Sequence, residues 1–190
     1  DKWEGFANYW RTTQLEYTWL RSLMKRHKDF WQVTEDSLDK SMKVFNIESS
    51  LKNELLNLYK ILSPYPEVKK VLTNLKEKKF KLAILSNGTP KLLEELVKSN
   101  NLNNLFDDLF SVEEVKIYKP NSKVYELPIK KYKIKPEEII FLSANTWDVS
   151  GGGNYGYNSV WVNRGKSHFD NLDYYPKNEI GNLTQLLDIV

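Results

Sequence analysis

The chain has 190 residues, the length of one medium domain or of a core with a smaller appendage. Its 41% hydrophobic and 28% charged residues, with only 7 Pro and 8 Gly, exclude a disordered or collagen-like chain. The 28 Lys and Arg against 25 Asp and Glu leave a net charge of +3, spread without a basic tail, so nucleic acid is not an expected partner. With no Cys, disulfides, thiolate metal sites and a Cys nucleophile are ruled out, which fits a reducing compartment. No apolar run approaches the roughly 20 residues of a membrane span. Asp1-Lys2-Trp3-Glu4 lacks both an initiator Met and the layout of a signal peptide, so the start reads as a cut and the cytoplasm as the default location.

Phe6, Trp10, Thr13, Tyr17, Leu20 and Met24 recur at spacings of four and three, which predicts one buried stripe of a long helix. Arg11, Leu15 and Trp19 form a second line on another side. Thr34 reads as the N-cap of a next helix through about Phe45, with Val33 and Leu38 placed as a hydrophobic staple. Ser49 or Ser50 is placed to cap a third helix bearing Leu51, Leu55, Leu58 and Leu62, which must stop before Ser63-Pro64-Tyr65-Pro66. Residues 1–63 are therefore expected to be a helical unit and residues 64–190 a separate α/β core.

Beyond residue 64 strands and helices alternate. A helix around Val68–Leu75 leads into a strand at Phe80–Leu85, and Thr89-Pro90 caps a helix carrying Leu92, Leu93, Leu96 and Val97. A short strand follows at Leu109–Val112, then a helix near Asn121–Tyr132 weakened at Pro128, then strands at Ile139–Ser143 and Ser159–Val162. This order predicts an α/β fold with a parallel sheet and helices on both faces. In such folds ligands gather at the carboxyl ends of strands, which nominates Ser86-Asn87-Gly88, Lys119-Pro120 and Ser143-Ala144-Asn145-Thr146-Trp147-Asp148.

Ser86 and Asn87 offer hydrogen bonds to an anion, Lys119 a compact positive charge, and Asp148 a base or a partner for that charge. Each has a plainer reading: Ser86-Asn87-Gly88 as a turn, Lys119 as a solvated lysine, Asp148 as a helix cap, Arg11 as a side chain snorkelling from its helix. Gly151-Gly152-Gly153 lacks Walker spacing and reads as close helix-to-strand packing.

Trp10-Arg11-Thr12-Thr13-Gln14-Leu15-Glu16-Tyr17-Thr18-Trp19-Leu20-Arg21-Ser22-Leu23-Met24 resembles the first cap helix of the type II L-2-haloacid dehalogenases of the haloacid dehalogenase (HAD) superfamily. Leu82–Gly88 is similar to that family's second motif, Tyr118-Lys119-Pro120 with Val124-Tyr125-Glu126 to its third, and Ser143–Asp148 with Gly151 and Trp161–Arg164 to its fourth. The resemblance implies a HAD-like Rossmannoid core with a helical cap, and a hydrolase that removes halide from short L-2-haloacids with inversion, through an aspartyl ester later cleaved by water. It implies that Arg11, assisted by Asn145, receives the halide, and that Ser86 and the Asn87 backbone hold the substrate carboxylate. It further implies that Lys119 neutralises the nucleophile's charge and that Asp148 orients or activates the hydrolytic water. Ser143 and Tyr125 would support Lys119 and the site, while Leu15, Phe30 and Trp147 would wall the substrate. The implied partners are a small 2-haloacid and the halide ion, with no cofactor, metal, nucleic acid or membrane, and a homodimer is an assembly that relatives often adopt.

Two departures stand out. Thr12 occupies a place where relatives often carry Gln, and the family's Asp-x-Tyr-Gly-Thr strand, which bears the nucleophile, is not found ahead of the cap helix. Asp1 is expected in the approach to the cap, not at a strand end. The first core strand is therefore expected to be absent, and an inactive fragment needing a complementing strand is the first alternative. A Mg²⁺-dependent phosphatase of the same superfamily is the second; its oxygen-rich metal site fits poorly with neutral Asn145 and the single carboxylate of Asp148.

Overall fold

A computed structural model describes residues 2–190, so Asp1, set by the sequence in the approach to the cap, lies outside the described residues. The chain forms two compact units, one made of residues 1–63, 86–103 and 111–118, the other of residues 64–85, 104–110 and 119–190. Among the described residues no helix is long and apolar enough to cross a membrane.

The first unit is built on a hairpin of α1 (Lys2–Leu23) and α2 (Phe30–Phe45). Phe6 near the start of α1 meets Phe45 at the end of α2, ring centres 5.7 Å apart. Phe6, Trp10, Leu38, Met42 and Leu56 form the apolar core of the hairpin. Toward the loop the buried face of α1 turns polar: Thr13, Gln14 and Thr18 are buried, while Leu20 and Met24 are exposed. The apolar stripe expected from Phe6 to Met24 thus holds only in its first half. A hydrogen-bonded polar side chain can occupy a buried seam that hydrophobic periodicity does not register, and Thr34, Ser37 and Ser41 of α2 line the same seam.

The cap of α2 also differs from expectation. Asp29 is the N-cap and its carboxylate accepts from Gln32 N at 2.9 Å. Thr34 lies inside the helix, where its hydroxyl donates to the Phe30 carbonyl at 2.7 Å. The third helical segment is broken into a 3-10 turn at Ser49–Leu51, α3 (Lys52–Asn57) and a second 3-10 turn at Leu58–Lys60, and Leu56, not Leu58 or Leu62, is its buried residue. The segment ends before the two prolines, as their geometry requires. α5 (Pro90–Ser99) opens on Thr89, whose hydroxyl accepts from Leu92 N at 3.3 Å, with Pro90 in the first turn.

In the second unit α4 (Val68–Glu77) packs Val71 and Leu75 with Val160, Val162, Ile180 and Leu186. β1 (Ala83–Ser86) pairs with β2 (Asp108–Ser111), the last residue of each belonging to the first unit. β3 (Ile140–Ser143), β4 (Asn158–Val162) and β5 (Asn178–Ile180) form a parallel sheet in that order, with Phe141 opposite Ser159, Ser143 opposite Trp161 and Val162 opposite Ile180. β5 is three residues long and carries no alternation that sequence could display. α6 (Ser122–Tyr132) runs unbroken through Pro128, and α7 (Thr146–Tyr155) follows β3 directly. Gly152 lets α7 approach the sheet, since a Cβ there would stand 2.6 Å from the Phe141 ring. Glu67 accepts from the Arg164 guanidinium and from Leu183 N, and Arg164 lies 3.7 Å over the Tyr65 ring.

Candidate active site

The nominated residues fall into two groups, each held within its own unit. In the second unit the turn after β3 and the first turn of α7 set a carboxylate beside an ammonium. Asp148 sits in that first helical turn, where the backbone dipole favours negative charge. Lys119 Nζ donates to Asp148 Oδ2 at 3.1 Å, and Tyr125 Oη donates to Asp148 Oδ1 at 2.7 Å. Lys119 is 5% exposed and Asp148 5%, so Lys119 is no solvated lysine and its charge is answered in the interior. Nζ also lies 4.9 Å over the Phe141 ring and 5.8 Å over that of Tyr125.

Burial lowers the pKa of Lys119, and the attraction and hydrogen bond of Asp148 oppose that shift. Burial raises the phenol of Tyr125 far above its ordinary value, and the Asp148 carboxylate raises it further, so Tyr125 stays a neutral donor. The Tyr125 hydroxyl fits against Gly151: a Cβ at Gly151 would overlap it and lie 2.8 Å from Pro120 Cβ. The glycine run therefore serves close packing, and at Gly151 the packed partner is a member of the ionic cluster. The Tyr157 hydroxyl donates to the Tyr125 carbonyl beneath. Ser143 is buried at the end of β3 and its hydroxyl accepts from Asn145 N at 3.2 Å; Asn145 is the N-cap position of α7, and Trp147 lies half-buried in its first turn.

In the first unit Arg11 projects from α1 with its Nη1 donating to Gln14 Oε1 at 2.9 Å. Arg11 is exposed as a residue, yet the protein around its guanidinium desolvates it enough to lower its pKa. Its anchoring partner is an amide, not a carboxylate, so this contact leaves the positive charge of the guanidinium uncompensated. Leu15, four residues on, is half-buried, and Phe30 is buried at the start of α2. Ser86 and Asn87 are half-buried in the turn after β1; the Ser86 hydroxyl accepts from Gly88 N at 3.0 Å, and the Gly88 carbonyl accepts from the buried Ser111 hydroxyl at 2.7 Å. That is turn chemistry which also orders the backbone N–H groups of the segment.

Tyr118, not singled out for a role by its sequence, is 1% exposed and fixes the segment that leads to Lys119. Its N–H donates to Ser22 Oγ at 3.2 Å and its hydroxyl to the Lys28 carbonyl at 2.6 Å. The His27 ring lies 5.2 Å away and pairs with Glu113 at 3.0 Å. Gln14 is likewise a residue that periodicity passes over; its signal was the spacing of three from Arg11 on one helix. A depression of about 600 Å³ in the first unit, lined by Tyr17, Leu20, Arg21, Asp36 and Lys40 among others, contains none of the nominated residues. Among the described residues no group of three or more His, Cys, Asp or Glu is placed to hold a metal ion.

The second unit combines a three-stranded parallel sheet with a lysine–aspartate pair buried at the start of the helix that follows β3, an α/β architecture. The model of the haloacid dehalogenase-like hydrolases matches residues 10–162. A relative, (S)-2-haloacid dehalogenase 1 of Pseudomonas sp. (strain CBS-3), is 42% identical over 163 residues, covering 85% of this chain and 72% of the relative. A crystal structure of a dehalogenase superposes with a TM-score of 0.95 at 34% identity, covering 98% of this chain and 84% of that one. The L-2-haloacid dehalogenase of Xanthobacter autotrophicus superposes with a TM-score of 0.91 at 29% identity, covering 98% of this chain and 85% of that one. The chain belongs to the haloacid dehalogenase-like hydrolases and, within them, to the L-2-haloacid dehalogenases, with their α/β core and helical cap.

Proposed function

We propose that the protein hydrolyses the carbon–halogen bond of short L-2-haloacids with inversion, giving D-2-hydroxyacids. A carboxylate attacks carbon 2, the carbon–halogen bond breaks, and an ester forms; water then cleaves the ester, regenerating the carboxylate and releasing a proton. Family membership supports the reaction class. The observation that carries the reading is the buried Lys119–Asp148 pair with Tyr125, an arrangement of charge whose desolvation is costly.

The roles are those that the family resemblance implies, and the chemistry of each group suits them. Lys119 holds the attacking carboxylate in its ionised form by its positive charge. Asp148, itself oriented by Tyr125 and Lys119, directs the water that attacks the ester. Arg11 receives the departing halide on a fixed planar cation, with Asn145 assisting, and electrostatic stabilisation of this kind lowers the barrier where charge develops. Ser86 and the Asn87 backbone N–H hold the substrate carboxylate, Ser143 supports Lys119, and Leu15, Phe30 and Trp147 exclude water from the first step. Residues 1–63 supply the cap and residues 64–190 the core. The attacking carboxylate is assigned to no residue of the given sequence, which contains no Asp-x-Tyr-Gly-Thr.

The test is chloride release from L-2-chloropropionate in the presence of chelator, with and without a peptide bearing an apolar strand and Asp-x-Tyr-Gly-Thr. The expected result is equal amounts of chloride and D-lactate in at least one arm, lost on Lys119→Met. Retention of configuration, or no chloride in either arm from folded protein, overturns the reading.

A further inference from the structure

Gln14 is a polar side chain with 0% exposure in the middle of a helix pair. Burying an amide is costly unless its hydrogen bonds are met, so its partners define what it is for. The partners form an ordered chain. The Thr34 hydroxyl spends its one proton on the Phe30 carbonyl at 2.7 Å, and can therefore only accept from Gln14 Nε2, also at 2.7 Å. With its nitrogen committed to Thr34, the amide must turn its oxygen outward, where it accepts from Arg11 Nη1 at 2.9 Å. The Thr34 carbonyl in turn accepts from Trp10 Nε1 at 3.2 Å and from the Ser37 hydroxyl at 3.0 Å, so the residue that sets the direction of the chain is itself pinned. Tyr59 interacts with both ends of the amide–guanidinium pair, its phenol pushed up by burial and drawn down by Arg11 and Gln14.

From this geometry we infer that Gln14 is a positioning residue that fixes the plane of the Arg11 guanidinium for the halide, with Thr34 setting the amide's direction. A guanidinium carries five N–H donors in one plane, so engaging one of them orients the rest. A neutral acceptor does this without cancelling the charge, whereas a carboxylate at position 14 would neutralise it. The inference rests on the reading of Arg11 as the halide receiver.

The test is chloride binding to the full chain by chloride NMR line broadening, beside nitrogen NMR of the Arg11 guanidinium, whose hindered rotation reports anchoring, and thermal melting to show folding. Gln14→Met and Thr34→Val are expected to free the rotation and to weaken chloride binding about tenfold, the scale of one lost hydrogen bond to a charged group. Gln14→Glu is expected to keep the rotation hindered yet to weaken chloride at least as much, and Thr34→Ser to behave as the parent. A mere packing role for Gln14 would not separate the Glu and Met variants in this way. Folded Gln14→Met with parental chloride affinity, while Arg11→Met loses it, overturns the inference and leaves the reading of Arg11 standing. Arg11→Met with parental affinity, or a parent that does not bind chloride, overturns that reading itself.

Discussion

Lys119 gives up hydration for partners that include the Asp148 carboxylate and the faces of the Tyr125 and Phe141 rings. Removing one member of such a pair leaves the other charged in the interior, and that asymmetry separates a buried ion pair from a surface one. Lys119→Met is expected to lower stability by about 3–5 kcal/mol in urea unfolding, and adding Asp148→Asn to restore part of it, because the second change removes the stranded charge. A double variant as unstable as the sum of both single ones would mean that the pair is not coupled. At this scale sequence shows residue types but not burial: Lys119 beside a proline looks like any solvated lysine until Asp148 and Tyr125, distant in the chain, are folded onto it.

Among the elements, local chemistry was legible and long-range chemistry was not. Thr89-Pro90 announces its helix because cap and first turn are adjacent in sequence. Thr34, followed by acidic residues, imitates a cap, but the hydroxyl finds the Phe30 carbonyl inside a helix that Asp29 has already begun. The alternation of strands and helices predicted β1 to β4 within a few residues, and β5 escaped because three residues held by their neighbour carry no period. The ionic cluster was legible as three motifs, whereas the bonds of Gln14 to Thr34 and of Tyr118 to the Lys28 carbonyl join residues far apart in sequence. The entrance to β1 shows such a contact: Asp107 accepts from Leu82 N at 2.7 Å and from Lys76 Nζ at 2.8 Å. The Lys76 hydrogen bond, then that of Leu82, holds the Asp107 carboxyl below its ordinary pKa. Its stabilisation is therefore complete above the ordinary carboxylate range and is lost as pH falls through the lowered value. Asp107→Asn is expected to cost at most about 1 kcal/mol at pH 7, since the pair is partly solvated. The melting difference from the parent should shrink on acidification; a difference that grows toward low pH would contradict the assignment.

Across the whole molecule, the second unit is stitched from residues far apart in the chain. α4 near its beginning packs against β4, β5 and Leu186 near its end. Leu186, 4% exposed, is thus core and not tail, and Leu186→Ala is expected to lower stability by roughly 2–5 kcal/mol in denaturant unfolding. A loss within the range of surface substitutions would show that the last turn only lies on the unit.

Glu67 makes the same join in polar form, meeting Arg164 and Leu183 at sequence separations of 97 and 116. On a ribosome, where earlier parts of a chain emerge first, α1 and α2 can join through Gln14 and Thr34 as soon as both have emerged, before Lys52, Glu113 and Tyr118 arrive to complete the hairpin's hydrogen bonds. α4 leaves the exit tunnel with Val71 and Leu75 bare, and over a hundred further residues must be translated before Ile180 and Leu186 arrive to cover them. During that interval the nascent chain displays an unfinished apolar face at α4, the kind of surface that chaperones cover.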